Sequence, residues 1–128
     1  GSHGSTFGGN PIAAAVAMAA LEVVREERLA ENAFALGELF REKMNDYIET
    51  STICKLVRGK GLLNAIVIND SEDSDTAWNI CLRLRDNGLL AKPTHGNIIR
   101  FAPPLVITEA QLLACVSIIT ETLKEFEK

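Results

Sequence analysis

Gly88-Leu89-Leu90-Ala91-Lys92-Pro93-Thr94-His95-Gly96-Asn97-Ile98-Ile99-Arg100-Phe101-Ala102-Pro103-Pro104-Leu105 reads as two short apolar strands joined by a turn at Thr94-His95-Gly96-Asn97. Period-two alternation places Ile98 and Arg100 on one face of the second strand, and Ile99 and Phe101 on the other. A guanidinium among hydrophobic residues cannot shed its proton, so Arg100 requires a carboxylate or phosphate partner.

Working outward, Ala77, Ile80, Cys81 and Leu84 recur at helical spacing before this hairpin, and Gly88 is placed to end that helix as its C′ residue. Trp78 is read there as a packing residue. After the hairpin, Thr108 and Gln111 form a capping-box pattern for a last helix with the stripe Leu112, Val116, Ile119, Leu123 and Phe126. Upstream, residues 53–58 and 62–68 read as strands around a Gly59-Lys60-Gly61 turn, and residues 69–75 as a solvated acidic loop. Leu29, Ala33, Leu36, Phe40, Met44 and Ile48 mark an amphipathic helix. A further helix should begin at Asn10-Pro11, an N-cap followed by a favoured first position, and run to about Arg25 or Glu27. Residues 12–20 are small and apolar on every side, which argues for burial on more than one face. The order helix, helix, two strands, helix, two strands, helix predicts an α+β layer with helices covering one face of a small, mainly antiparallel sheet.

The 128 residues suffice for one domain with a real but small core. A net charge of −4 leaves no basic footprint for nucleic acid. The apolar run from Ile12 to Val24 is interrupted by Glu22 and too short to span a bilayer. Cys54, Cys81 and Cys115 have no paired spacing and sit among apolar neighbours, so buried reduced thiols are expected and a metal site is not. Gly1-Ser2-His3 reads as a tag remnant, although His3 also fits the loop that follows.

Two places could carry chemistry. The loop from Gly4 to Gly9 combines glycines, which allow close approach to an anion, with the Ser5 and Thr6 hydroxyls, which can donate to phosphate oxygens; the alternative is a tight lead-in turn to the Asn10-Pro11 helix. Arg100 is either one half of a structural ion pair or a binding site for a planar anion. His95 is read as a turn residue making a local hydrogen bond, and Arg58 and Lys60 as turn and ion-pair residues, the lesser alternative being that they line the mouth of a site.

Three motifs in order, Gly4-Ser5-Thr6-Phe7-Gly8-Gly9-Asn10-Pro11, Arg58-Gly59-Lys60-Gly61-Leu62-Leu63-Asn64-Ala65-Ile66 and the hairpin above, resemble the C-terminal part of ornithine aminotransferases. These are class III pyridoxal-phosphate-dependent aminotransferases, and the resemblance runs from about His3 to the end. It implies that residues 1–27 are a large-domain phosphate loop and interdomain helix, and residues 28–128 the C-terminal small domain of a fold-type I enzyme. The parent would move the δ-amino group of L-ornithine to 2-oxoglutarate, giving glutamate semialdehyde and glutamate. By the same resemblance Thr6, with Ser5 weaker, contacts the phosphate of pyridoxal 5′-phosphate in the neighbouring subunit of a homodimer. Arg100 binds the α-carboxylate of glutamate or 2-oxoglutarate, and pairs with a large-domain glutamate when ornithine is the substrate.

The cofactor-anchoring lysine, the aspartate facing the pyridine nitrogen and the aromatic platform would all precede residue 1. The chain alone is therefore expected to hold no catalytic residue, to bind no cofactor and to be inactive. Its apolar helix, deprived of the large domain, is expected to self-associate through residues 11–27. The resemblance suits an intracellular enzyme of the mitochondrial matrix or cytoplasm, with the targeting region not covered. The alternatives are a class III enzyme acting on acetylornithine or 4-aminobutyrate, or a non-catalytic interaction module reusing the small-domain fold. Lys60, Asn64 and Lys92-Pro93-Thr94-His95 look more like the ornithine enzymes.

Overall fold

The computed structural model describes residues 3–127; Gly1 and Ser2 of the tag-like segment and Lys128 lie outside the described residues. The elements are α1 (Pro11–Glu26), α2 (Leu29–Ile48), β1 (Cys54–Lys60), β2 (Leu63–Ile68), α3 (Thr76–Asp86), β3 (Lys92–Thr94), β4 (Ile98–Phe101) and α4 (Glu109–Lys124). The strands form one four-stranded sheet in the order β1-β2-β4-β3, and each pairing is antiparallel, as the α+β reading requires. α2 packs against β1 and β2, α3 against β3 and β4, and α4 against both α2 and α3. Val57, Ile66 and Ile99 sit side by side in register on the covered face, and with Met44, Ile80, Leu84, Leu112, Ile119 and Leu123 they make the core.

Local chemistry explains the element ends. Asn10 caps α1, its Oδ1 accepting from Ile12 N at 3.0 Å and Ala13 N at 3.2 Å. α3 ends in a Schellman motif: Gly88, at φ +90°, donates to Arg85 O at 3.0 Å, and Leu89 donates to Leu84 O at 2.9 Å. Thr108 and Gln111 complete both halves of the capping box on α4, at 3.3 and 3.0 Å. The turn of the β3–β4 hairpin places His95 at φ 49° and Gly96 at φ 68°. A Cβ on Gly96 would also lie 2.2 Å from Glu72 O, so glycine is required there twice over. Asn97, rather than the expected His95, fastens this turn, donating from Nδ2 to Ile68 O at 3.1 Å and Asp70 O at 3.2 Å.

Two expectations are corrected. The first hairpin turns at Gly61-Leu62, inside the paired Lys60 and Leu63, so Gly59 and Lys60 belong to β1. Gly61 takes the positive φ, +55°, and the Leu62 side chain drops into the core, which pins the turn two residues later. Trp78 is 55% exposed, because α3 buries only the stripe of Ala77, Ile80, Cys81 and Leu84. α1 packs on α2 but buries none of its residues, with Ile12 76% and Leu21 70% exposed. A two-residue joint connects α1 to α2, with Arg28 in the left-handed region at φ 51°.

Two contacts fix α2 and the C-terminus. Gly37 sits so close to the first hairpin that a Cβ there would lie 2.0 Å from Gly61 O. Beside it, Arg41 donates to Gly61 O at 3.1 Å and to Asn64 Oδ1 at 2.7 Å, satisfying an asparagine that is only 3% exposed. At the other end, Glu127 accepts hydrogen bonds from Tyr47, from Ser51 at 2.6 Å, and from both the backbone N–H and the hydroxyl of Thr52, each at 2.6 Å. Burial pushes the Glu127 carboxyl up, but the donors Ser51, Thr52 and Tyr47 outweigh it and bring the pKa down to about 2.

Gly37→Ala should destabilise the fold by about 3 kcal/mol, the upper part of the usual cost of overpacking, because backbone rather than a flexible side chain must give way. Urea denaturation checks this, and Glu38→Ala on the exposed side of α2 should cost far less. Because the folded pKa of Glu127 lies below its ordinary 4.5, its contribution to stability is complete above about pH 4.5 and is lost as the pH falls towards about 2. Glu127→Gln should therefore lower the urea midpoint at neutral pH and flatten its acid decline; an unchanged acid limb would show that the C-terminal hydrogen bonds do not persist in solution.

Candidate functional site

The uncovered face of the sheet is built by register. Arg58 pairs with Ala65, Ala65 with Arg100, and Arg100 with Lys92, so these four side chains form one row on one face. Arg58, Arg100 and Lys92 are exposed and Ala65 is half-buried. Beside the row runs an apolar one, Leu56, Val67, Ile98 and then Thr94. The charged residues of the strands are Lys55, Arg58, Lys60, Lys92 and Arg100, all basic, although the chain as a whole is acidic. The alternation predicted for β4 holds: Ile99 and Phe101 are buried and Arg100 faces out.

Among the described residues Arg100, Arg58 and Lys92 have no ion pair or side-chain hydrogen bond. Arg58 and Lys60 are therefore strand residues of an open cationic face rather than the turn and ion-pair residues expected. A planar guanidinium presented in this way offers a fork for a carboxylate, and the methyl of Ala65 leaves the space beside it unfilled.

The second place lies in the exposed loop before α1. Asn10 N donates to Phe7 O at 3.0 Å, with Gly9 at φ +79°, so the loop closes as a tight turn onto the α1 cap. Ser5 and Thr6 are exposed and make no hydrogen bond among the described residues, and a Cβ on Gly4 would meet nothing within 4 Å. Free hydroxyls beside open glycine backbone suit the oxygens of a phosphate, so the loop fits that part of pyridoxal phosphate. Lys43 is tied to Glu42 and Asp46 on the outside of α2, and none of the described lysines is buried. No His/Cys/Asp/Glu group able to hold a metal exists among the described residues.

A cavity of about 330 Å3 opens between the end of β4 and α4, lined by Leu62, Phe101, Pro103, Leu112 and Cys115 among others. Its lining carries no charged side chain, so it does not suit an amino acid or a phosphate. The thiols are free, and burial raises those of Cys54 and Cys81 to about 12 and about 11, which removes them as nucleophiles near neutral pH. Sequence reading missed Lys92 as a member of the cationic row. The signal was present in the hairpin length, since a three-residue turn sets Lys92 opposite Arg100.

Comparison with known proteins gives this geometry its family. Ornithine aminotransferase, mitochondrial, of Drosophila melanogaster is 59% identical over 123 residues, 96% of this chain and 27% of that protein. The crystal structure of acetylornithine aminotransferase from Elizabethkingia anophelis matches 98% of this chain and 31% of its own, at TM-score 0.92 and 67% identity. An ornithine aminotransferase from Toxoplasma gondii, whose structure is described as having partial occupancy of PLP at the active site, matches 96% of this chain and 29% of its own, at TM-score 0.85 and 43% identity. The chain thus spans less than a third of the length of each. The family model for class III aminotransferases matches residues 1–123, and together these findings establish that the chain belongs to the class III aminotransferases.

Proposed function

We propose that this chain is the C-terminal part of a pyridoxal-phosphate-dependent ornithine aminotransferase, with residues 1–27 belonging to the large domain and 28–128 forming the small domain. The observation that supports it most is the 59% identity to an ornithine aminotransferase along nearly the whole chain. The parent transfers the δ-amino group of L-ornithine to 2-oxoglutarate. In that role Arg100 grips the α-carboxylate of glutamate or 2-oxoglutarate in a two-point hydrogen bond, fixing which end of the acid faces the reacting centre. With ornithine present, a large-domain glutamate neutralises the same guanidinium.

Thr6, assisted by Ser5, donates to the phosphate of pyridoxal phosphate held by the neighbouring subunit, so the enzyme is a homodimer. When bound, the cofactor supplies an electrophilic aldehyde and an electron-withdrawing ring. The anchoring lysine comes from the part of the protein that the chain does not span. Among the described residues no helix is long and apolar enough to cross a membrane. The compartment is the mitochondrial matrix or cytoplasm, the former in keeping with the name of the Drosophila relative.

A second reading rests on the 67% identity to the acetylornithine aminotransferase of Elizabethkingia anophelis. The two differ in the donor, so the full-length enzyme offered L-ornithine, N-acetylornithine and 4-aminobutyrate at equal concentration should show its highest kcat/KM with L-ornithine. A preference for N-acetylornithine would replace the first reading with the second. In single-turnover spectra Arg100→Ala should slow the glutamate half-reaction much more than the ornithine half-reaction; equal losses would remove Arg100 from its carboxylate role. The 128-residue chain alone should transfer no amino group under any of these conditions.

The exposed apolar surface of α1 belongs against the large domain of the parent. Exposing a few hundred Å2 of it costs several kcal/mol at roughly 25 cal/mol per Å2, which favours covering it with a second copy when the chain is alone. Sedimentation at micromolar concentration should show a dimer or larger species. A monomer whose α1 resists proteolysis would mean that the helix is covered by its own domain.

A further inference from the structure

We propose that Lys92 is the second cation of the carboxylate site centred on Arg100, an assignment that rests on the function proposed above. The two residues are direct cross-strand partners in the β3–β4 hairpin, so their side chains leave the same face side by side. Like charges so placed repel each other, and a fold tolerates this most readily when an anion sits between them. On the helices and at their ends, Arg28, Arg41, Lys43, Arg83 and Arg85 have carboxylate partners, whereas none of the five cations on the strands has one among the described residues. Lys92 and Arg100 have none among the described residues, and the four strands contain no Asp or Glu to provide one.

The division of labour follows from the two head groups. The guanidinium of Arg100 sets the plane and direction of a carboxylate, while the ammonium of Lys92 is a compact point charge on a flexible stem. Opposed residues in an antiparallel pair stand about 5 Å apart at Cα, well inside the screening length of about 8 Å at physiological salt, so their potentials add at the anion. Arg58 lies in the same row beyond Ala65, two strands away from Arg100, and adds less. The competing explanation is that Lys92, on the edge strand β3, merely blocks strand-to-strand aggregation. An edge lysine of that kind is indifferent to substrate.

The test is steady-state kinetics of the full-length holoenzyme carrying Lys92→Met, Lys92→Arg or Arg100→Met, with 2-oxoglutarate varied at about 0.02 M and about 0.3 M salt. Lys92→Met should raise KM for 2-oxoglutarate about two- to fivefold at low salt, more than it lowers kcat, as expected for one exposed charge. The gap should narrow at high salt, and Lys92→Arg should restore most of the loss. If Arg100→Met raises this KM while Lys92→Met leaves it at the wild-type value, Lys92 is an edge residue only and the inference alone falls. If Arg100→Met also leaves it unchanged, the carboxylate site itself is misplaced and both readings fall together.

Discussion

The ladder between β2 and β4 joins two hairpins that are separated in sequence by α3, and the rest of the molecule depends on its register. Asn64 opposite Phe101, Ala65 opposite Arg100 and Ile66 opposite Ile99 put Ile66, Ile99 and Phe101 of the inner strands under the helices. A slip of one residue would turn Ile66 and Ile99 to solvent and bring Arg100 into the core, where nothing could pair with it. The same ladder therefore fixes the hydrophobic core and the outward aim of the guanidinium. Packing on one face specifies the pairing, and the pairing specifies the chemistry of the other face.

Element positions were legible in the sequence because their signals are local. The caps at Asn10 and Thr108, the C′ glycine at 88 and the period of three to four along α2 each act within one or two turns of chain. What could not be read depends on neighbours distant in sequence. Gly37 is glycine because the backbone of Gly61 lies against it, and Gly61 rather than Gly59 makes the turn because Leu62 has a place in the core. Trp78 looked like packing because it is large and apolar, but a short helix on a small sheet has room to bury only one narrow stripe. The carboxylate of Glu127, hydrogen-bonded to residues some 75 positions earlier, left no trace in its local sequence.

The candidate site was half legible for a related reason. Arg100 stood out as a charge among apolar residues, and the glycine loop as a motif, since both are anomalies of composition. Lys92 was missed because a lysine at a strand edge is ordinary until register places it beside an arginine. The charges of the sheet are all basic, whereas the helices and loops carry every described acid together with bases of their own. A sheet face of this kind is an unfinished electrostatic surface. On the function proposed above, it gains its counter-charge from substrate or from the remainder of the enzyme.

The buried thiols have a use of their own. Cys54 begins β1 and Cys81 sits mid-way along α3, both shut in the core and held in the unreactive thiol form, while Cys115 on α4 is half-buried. An alkylating reagent thus meets three residues with graded access on three different elements. The rate at which each is labelled becomes a native stopwatch for local opening, one for the first hairpin, one for the middle helix and one for the last, without any added probe.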